Sequence, residues 1–170
     1  MNYEQALQAS KCNPAEVMKV LERLEWECNR CNGKGILKIP EITLGTRLKK
    51  TVNCSHCVKG KLSYSWTPQV GEFSLLEGKV FLVKEKPYEC GKSFYKLHED
   101  AIPILEWEVI EEILEKAGYE LEIIRGKTSK EFFIGIHSLD YHRVSRAMGC
   151  AKSRQQAVMK AVIELGKEQK

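Results

Sequence analysis

Residues 28–35 read CNRCNGKG and residues 54–60 read CSHCVKG, so the chain contains two Cys-x-x-Cys pairs. The pairs are Cys28 with Cys31 and Cys54 with Cys57, and 22 residues separate them. A two-residue gap lets both thiolates of a pair bind one ion, and two pairs supply the four sulfur ligands of a closed zinc site. We therefore predict one zinc ion held by these four cysteines, with a structural and not a catalytic role.

The composition around the cysteines supports a metal-dependent segment. Residues 28–60 contain four glycines and few large apolar residues, which is a poor basis for a hydrophobic core. Metal binding would replace that core, and an extended loop would connect the two pairs. An iron–sulfur cluster remains as one alternative. A redox-active pair is the other, because His56 lies between Cys54 and Cys57 and could lower a thiol pKa.

The first pair fits the C-x-x-C-x-G-x-G repeat and resembles the DnaJ-type cysteine-rich zinc domain, in which the glycines permit a tight hairpin around the metal. The second pair departs from the repeat, because Gly60 stands one position late and the second glycine is missing. The resemblance covers residues 28–60, and the chain lacks the His-Pro-Asp motif of the J-domain. It implies a zinc module with a macromolecular partner, and not a co-chaperone.

Positive charge is concentrated on the same segment. The chain has a net charge of +4, whereas residues 28–61 carry eight basic residues and one acidic residue. Such a surface attracts phosphate chains, acidic protein faces or anionic membranes. We expect a nucleic acid or a nucleoprotein as the partner. The residues predicted to bind it here are Arg30, Lys34, Arg47, Lys49, Lys50, Lys59 and Lys61.

Hydrophobic periodicity predicts an α-β-β-β-α unit in the C-terminal part. A helix is expected from Asp100 to Ala117, followed by strands around residues 121–123 and 132–136. A third strand at residues 142–149 has a weaker pattern, and Ser153 opens the last helix.

This C-terminal unit loosely resembles the "ABA sandwich" units of phage proteins and the double-stranded RNA-binding domain, which share the same element order. In the RNA-binding family, basic residues at the start of the last helix contact phosphates. The resemblance implies that role for Arg143, Arg146, Lys152 and Arg154, although the usual lysine cluster is reduced here.

Two short helices and a β segment are predicted before residue 99. The first helix is predicted at residues 3–10. The second begins at Asn13-Pro14, because Asn is a good N-cap and Pro suits the first helical position. Residues 61–97 have a β pattern with a turn at Glu77-Gly78. The expected fold class is α+β. Its predicted parts are an N-terminal helical segment (1–27), a four-cysteine zinc module (28–61), a β segment (62–98) and an αβββα domain (99–170).

Composition and motifs exclude several classes of protein. No apolar run is long enough to span a membrane and the N-terminus is unlike a signal peptide, so we expect a cytoplasmic protein in which the seven cysteines do not form a disulfide framework. No nucleotide-binding or nucleophile motif occurs, and His137, Asp140, His142 and Cys150 fit no standard ligand spacing. We therefore expect no enzymatic activity and no small-molecule substrate.

These observations lead to one functional hypothesis and one alternative. The hypothesis is a zinc-stabilised binding protein of the kind encoded by phages and mobile elements, acting on a nucleic acid or nucleoprotein. Inhibition of a host nuclease or defence complex is one form of it. The alternative is a protein–protein adaptor whose zinc hairpin docks on an acidic partner.

Overall fold

The computed structural model describes residues 1–43, 46–67, 69–84, 101–139 and 146–168, and for residues 40–43, 46–49 and 146 it describes the backbone alone. The predicted α+β class is confirmed. The helices are α1 (Tyr3–Ser10), α2 (Pro14–Leu21), α3 (Trp107–Lys116) and α4 (Arg154–Glu168). The strands are β1 (Glu25–Glu27), β2 (Ile36–Thr43), β3 (Thr46–Asn53), β4 (Lys61–Ser63), β5 (Phe73–Leu76), β6 (Lys79–Leu82), β7 (Ile102–Pro103), β8 (Tyr119–Arg125), β9 (Phe132–Ser138) and β10 (Arg146–Ala151).

The two N-terminal helices begin where the sequence predicts. Asn2 and Gln5 form a capping box at the start of α1. The side chain of Asn13 accepts a hydrogen bond from the backbone N–H of Glu16, and Pro14 occupies the first turn of α2. Helix α2 then buries one apolar side, which includes Val17, Met18, Val20 and Leu21.

The predicted αβββα order is confirmed by α3, β8, β9, β10 and α4. The three strands form an antiparallel sheet in the order β10-β9-β8, so each strand pairs with its neighbour in sequence. Ile134 and Ile136 of the central strand are buried among the helices. The third strand begins at Arg146, and residues 142–145 of the predicted strand lie outside the described residues.

The predicted start of the long helix is wrong. Helix α3 begins at Trp107, with Glu106 as its N-cap, whereas the sequence pattern placed the cap at Asp100, which is outside the described residues. Pro103 explains the difference, because a proline disfavours the helical conformation of the residue before it. Ile102 and Pro103 instead form the edge strand β7, a position that tolerates a missing N–H.

The β segment contains the turn that the sequence predicts, and the structure places it in a hairpin. Strands β5 and β6 pair in register around Glu77 and Gly78. Both turn residues have positive φ, 49° and 76°, as a type I′ turn requires. Strand β5 also pairs with β7, which completes a three-stranded sheet in the order β6-β5-β7.

One hydrophobic core joins the two ends of the chain. It includes Leu21 of α2, Phe73 of β5, Leu114 of α3 and Leu165 of α4. The four cysteines belong to a separate buried cluster, against which Leu37 and Leu62 pack. Among the described helices, none combines the length and apolarity that a membrane span requires.

The segment between the cysteine pairs forms a hairpin and not the extended loop expected from the separation of the pairs. Strands β2 and β3 pair over their full length, from Ile36 with Asn53 to Thr43 with Thr46. At the base of this hairpin, β1 pairs with β4. We use "metal module" for residues 28–61 and "ribbon" for β2 and β3 together.

Candidate metal centre

The four predicted ligand cysteines come together at the base of the ribbon. The sulfur atoms of Cys28, Cys31, Cys54 and Cys57 all lie within 4.8 Å of one another. The first three side chains are buried and the fourth is partly exposed. Sulfur atoms of Cys31 and Cys57 are 3.6 Å apart, so the constellation could hold one metal ion.

Backbone amides shape the first cysteine turn. The N–H of Gly33 donates to the carbonyl of Cys28 over 3.1 Å, and the N–H of Gly35 donates to the sulfur of Cys31 over 3.2 Å. Asn32 and Gly33 have positive φ, 50° and 71°, which turns the chain back toward the sulfur atoms. The hydrogen bond from Gly35 favours a negatively charged sulfur at Cys31.

The second turn reproduces the first with a shift of one residue. Here the consecutive positive-φ residues are Lys59 and Gly60, at 49° and 90°, which are two and three positions after Cys57. In the first turn they are one and two positions after Cys31. Gly60 follows its cysteine pair one position later than Gly33 follows the first pair, and the positive-φ turn is displaced by the same one residue.

The two turns hold each other through reciprocal hydrogen bonds. The N–H of Cys28 donates to the carbonyl of Gly60 and the N–H of Cys54 donates to the carbonyl of Gly35, each over 2.8 Å. A Cβ on Gly60 would lie 1.9 Å from the carbonyl oxygen of Gly33, a distance that no side chain can occupy. Glycine at position 60 is thus required by both its conformation and the close approach of the turns.

The thiols have unequal affinities for their protons. Burial raises the pKa of the Cys28 thiol, but hydrogen bonds from the backbones of Cys31 and Arg30 lower it, and the pKa is about 7. Burial also raises the pKa of Cys57, and hydrogen bonds with the other three sulfurs raise it further, to about 12. The cluster thus has one sulfur that ionises near neutral pH and another that keeps its proton. Binding of a metal cation would release such protons.

Most of the predicted partner-binding residues of the metal module have exposed side chains. Arg30, Lys34, Lys50, Lys59 and Lys61 have exposed side chains, and so does Lys38. Arg47 and Lys49 belong to strand β3, where the backbone alone is described.

The predicted basic residues of the C-terminal unit have different surroundings. Lys152 is exposed. Arg154 is half-buried, and its guanidinium lies 4.5 Å from the ring centre of Trp107, so it links α4 to α3 by a cation–π contact. Arg146 begins β10 as described backbone alone, and Arg143 is outside the described residues.

The second group of polar residues does not form a site among the residues that the structure describes. The His137 ring is 3.2 Å from a carboxylate oxygen of Glu122. Cys150 pairs in register with Phe133, four residues along β9 from His137, and its thiol donates to Glu131. Asp140 and His142 are outside the described residues.

Sequence reasoning missed the ribbon and the contact between the glycines. The available signal for the ribbon was the alternation of Leu37 and Ile39 with Lys38, together with the β-branched Thr51 and Val52 across from it. The contact between Gly33 and Gly60 has no local signal, because it joins residues from different turns.

Comparison with known proteins gives no family for this chain. No family model matches it, and no significant match occurs among curated proteins or solved structures.

Proposed function

We propose that the four cysteines bind one structural zinc ion and that the zinc-stabilised metal module binds nucleic acid. The grouping of exposed basic side chains on the metal module is the observation that carries the proposal. Zinc would hold the module together, and the basic side chains would contact phosphates.

The chemistry of the ligands favours zinc. A tetrahedral zinc ion at roughly 2.3 Å from four sulfurs places those sulfurs about 3.8 Å apart. The observed distance of 3.6 Å between Cys31 and Cys57 is compatible with that geometry. Four protein ligands leave no position for a reacting water molecule, so the ion would have a structural role. A resemblance to the DnaJ-type zinc turn is consistent with this role.

The zinc proposal is tested by metal analysis of protein purified under reducing conditions. We expect one zinc ion per chain, and its loss in Cys57→Ser. The matched control is Cys150→Ser, because Cys150 is an exposed cysteine outside the cluster and its replacement leaves the metal content unchanged. Iron in place of zinc, or a chain without metal, would overturn the proposal.

The charge of the metal module favours a nucleic acid. Its one acidic residue is Glu41, whereas six basic side chains of the module are exposed. Outside it, α3 carries acidic residues such as Glu108 and Glu112, both exposed. A phosphate chain is therefore attracted to the metal module and repelled by α3.

Binding is measured as fluorescence anisotropy of labelled oligonucleotides at several salt concentrations. If four phosphates are neutralised, affinity falls on the order of a hundredfold between 50 and 200 mM salt. The variant with Lys34→Ala and Lys59→Ala should bind more weakly than wild type. The matched control replaces Lys127 and Lys130, two exposed lysines beyond β8. Equal losses in the two variants, or no binding at low salt, would contradict the proposal.

A protein partner with an acidic face is the second candidate. It is favoured by exposed apolar side chains on the metal module, because Val58 is 77% exposed and Ile36 and Ile39 are each 42% exposed. Such side chains contribute to protein interfaces and not to phosphate binding. Val58→Ser should then weaken capture of the partner from cell extract and leave oligonucleotide binding unchanged. Equal capture by Val58→Ser and wild type would count against this candidate.

A further inference from the structure

We infer that the ribbon enters the major groove of B-form DNA, so the nucleic acid bound by the metal module is duplex DNA. This inference rests on the proposed nucleic-acid function and names its substrate class. It is carried by the dimensions, exposure, charge and composition of the ribbon.

The ribbon has the dimensions that a major groove admits. Its strands of eight residues pair from end to end. At about 3.4 Å per residue, the ribbon is about 24 Å long. The major groove is about 12 Å wide and about 8.5 Å deep, and a two-stranded β-ribbon fits within it. The ribbon is therefore long enough to reach the base edges while the cysteine turns stay outside the groove.

Near the cysteines, both faces of the ribbon are exposed to a ligand. Among the described strands, β2 and β3 pair only with each other. Near the base, the side chains of Lys38, Ile39 and Lys50 are exposed. Leu37 is partly buried because it packs against the cysteine cluster, which fixes the base of the ribbon.

Basic residues occur along the whole ribbon. In the register, Lys38 pairs with Thr51 and Lys50 with Ile39 near the cysteines. Arg47 pairs with Ile42 near the other end. The major groove is bordered by two phosphate chains along its whole length. A ribbon with basic residues along its length therefore suits this groove better than a ligand with a single negative charge.

The composition of the metal module disfavours the other nucleic acids. Residues 28–61 contain no Phe, Tyr or Trp. Proteins that bind single strands rely on aromatic side chains on which bases stack. The major groove of A-form RNA is deep and narrow, and protein side chains do not read it. B-form DNA is thus the substrate that suits a basic ribbon without aromatic residues.

The experiment compares three probes of one sequence: a DNA duplex of about 20 base pairs, or two helical turns, its single strand, and the RNA duplex. Zinc-loaded full-length protein is titrated into each at low salt. We expect the DNA duplex to bind at least about tenfold more tightly than the other two. Methyl green, which occupies the major groove, should displace the protein, and netropsin, a minor-groove ligand, should not.

Two double variants separate groove recognition from general charge. Lys38→Ala with Lys50→Ala changes the ribbon and should reduce the preference for the DNA duplex. Lys34→Ala with Lys59→Ala changes the cysteine turns and should weaken all three probes by a similar factor. Zinc content and circular dichroism establish that both variants fold.

Each outcome bears on a different statement. Equal affinity for the three probes, or displacement by netropsin and not by methyl green, overturns the groove inference while nucleic-acid binding stands. Binding to none of the probes overturns the proposed function and the inference with it. A DNA preference that survives the ribbon variant overturns the assignment to the ribbon.

Discussion

The contact between helices α2 and α4 allows a sharp test of how the two ends of the chain pack. Gly166 of α4 faces Val20 of α2 so closely that a Cβ on Gly166 would lie 2.3 Å from a methyl carbon of Val20. Both residues are buried. The substitution Gly166→Ala therefore forces either the valine or the two helices to move.

The expected effect of Gly166→Ala follows from two opposing contributions. Overpacking a core typically costs about 1–3 kcal/mol, and replacing glycine by alanine inside a helix returns about 1 kcal/mol. Gly166→Ala should then destabilise the protein by about 1 kcal/mol. Val20→Ala removes two buried methyl groups and should cost about 2 kcal/mol.

The double variant should be more stable than the sum of these losses predicts. Val20→Ala removes the methyl groups that obstruct the new Cβ at position 166, and the new methyl fills part of the cavity. The expected coupling between the two substitutions is about 2 kcal/mol in the stabilising direction.

The assay is urea unfolding of zinc-loaded protein, followed by circular dichroism and tryptophan fluorescence for wild type, both single variants and the double variant. As a control, Val20→Ala is combined with Gly78→Ala, because a Cβ on Gly78 has no neighbouring atom within 4 Å. The changes in unfolding free energy caused by these two substitutions should be additive. If Gly166→Ala and Val20→Ala are also additive within about 0.5 kcal/mol, the reasoning about this contact is refuted.

Three further predictions concern single positions. Gly149→Ala places a Cβ 2.1 Å from the carbonyl oxygen of Ala157, so it should separate β10 from α4 and lower the unfolding free energy by about 3 kcal/mol, measured in urea. Gly60→Ala should abolish stoichiometric zinc binding in metal analysis, because its Cβ would overlap the carbonyl of Gly33. Burial and two nearby glutamates raise the pKa of Tyr64 from 10 to about 12. As the pH rises, the tyrosine therefore ionises first in the unfolded state. Its contribution to the free energy of unfolding is complete below pH 10 and is lost between pH 10 and 12. The free energy of unfolding of Tyr64→Phe should not show this decrease.

Each of these predictions has a clear contrary result. Gly149→Ala with stability equal to that of wild type would show that β10 and α4 are not in close contact. Full zinc content in Gly60→Ala would show that the cysteine turns need not approach each other. Identical alkaline stability of wild type and Tyr64→Phe would show that the tyrosine is solvated.

Local signals in the chain were sufficient for the ends of several elements. Asn13-Pro14 predicted the start of α2, and Glu77-Gly78 predicted a turn, because capping and turn conformations depend on adjacent residues alone. The spacing of the cysteines likewise predicted that the four sulfurs would meet, since each pair is constrained within one turn. The class of fold followed from the periodicity of the C-terminal elements.

Features that depend on distant neighbours required the tertiary structure. The pattern before Trp107 looked helical, but Ile102 and Pro103 pair with β5, a strand far away in sequence. The ribbon arises from pairing between two strands that each have a mixed pattern. The close approach of Gly33 to Gly60 and of Val20 to Gly166 is likewise visible only in the folded chain. Periodicity reports the surroundings of one element at a time, whereas close packing is a property of pairs, and those pairs form only when the whole chain is folded.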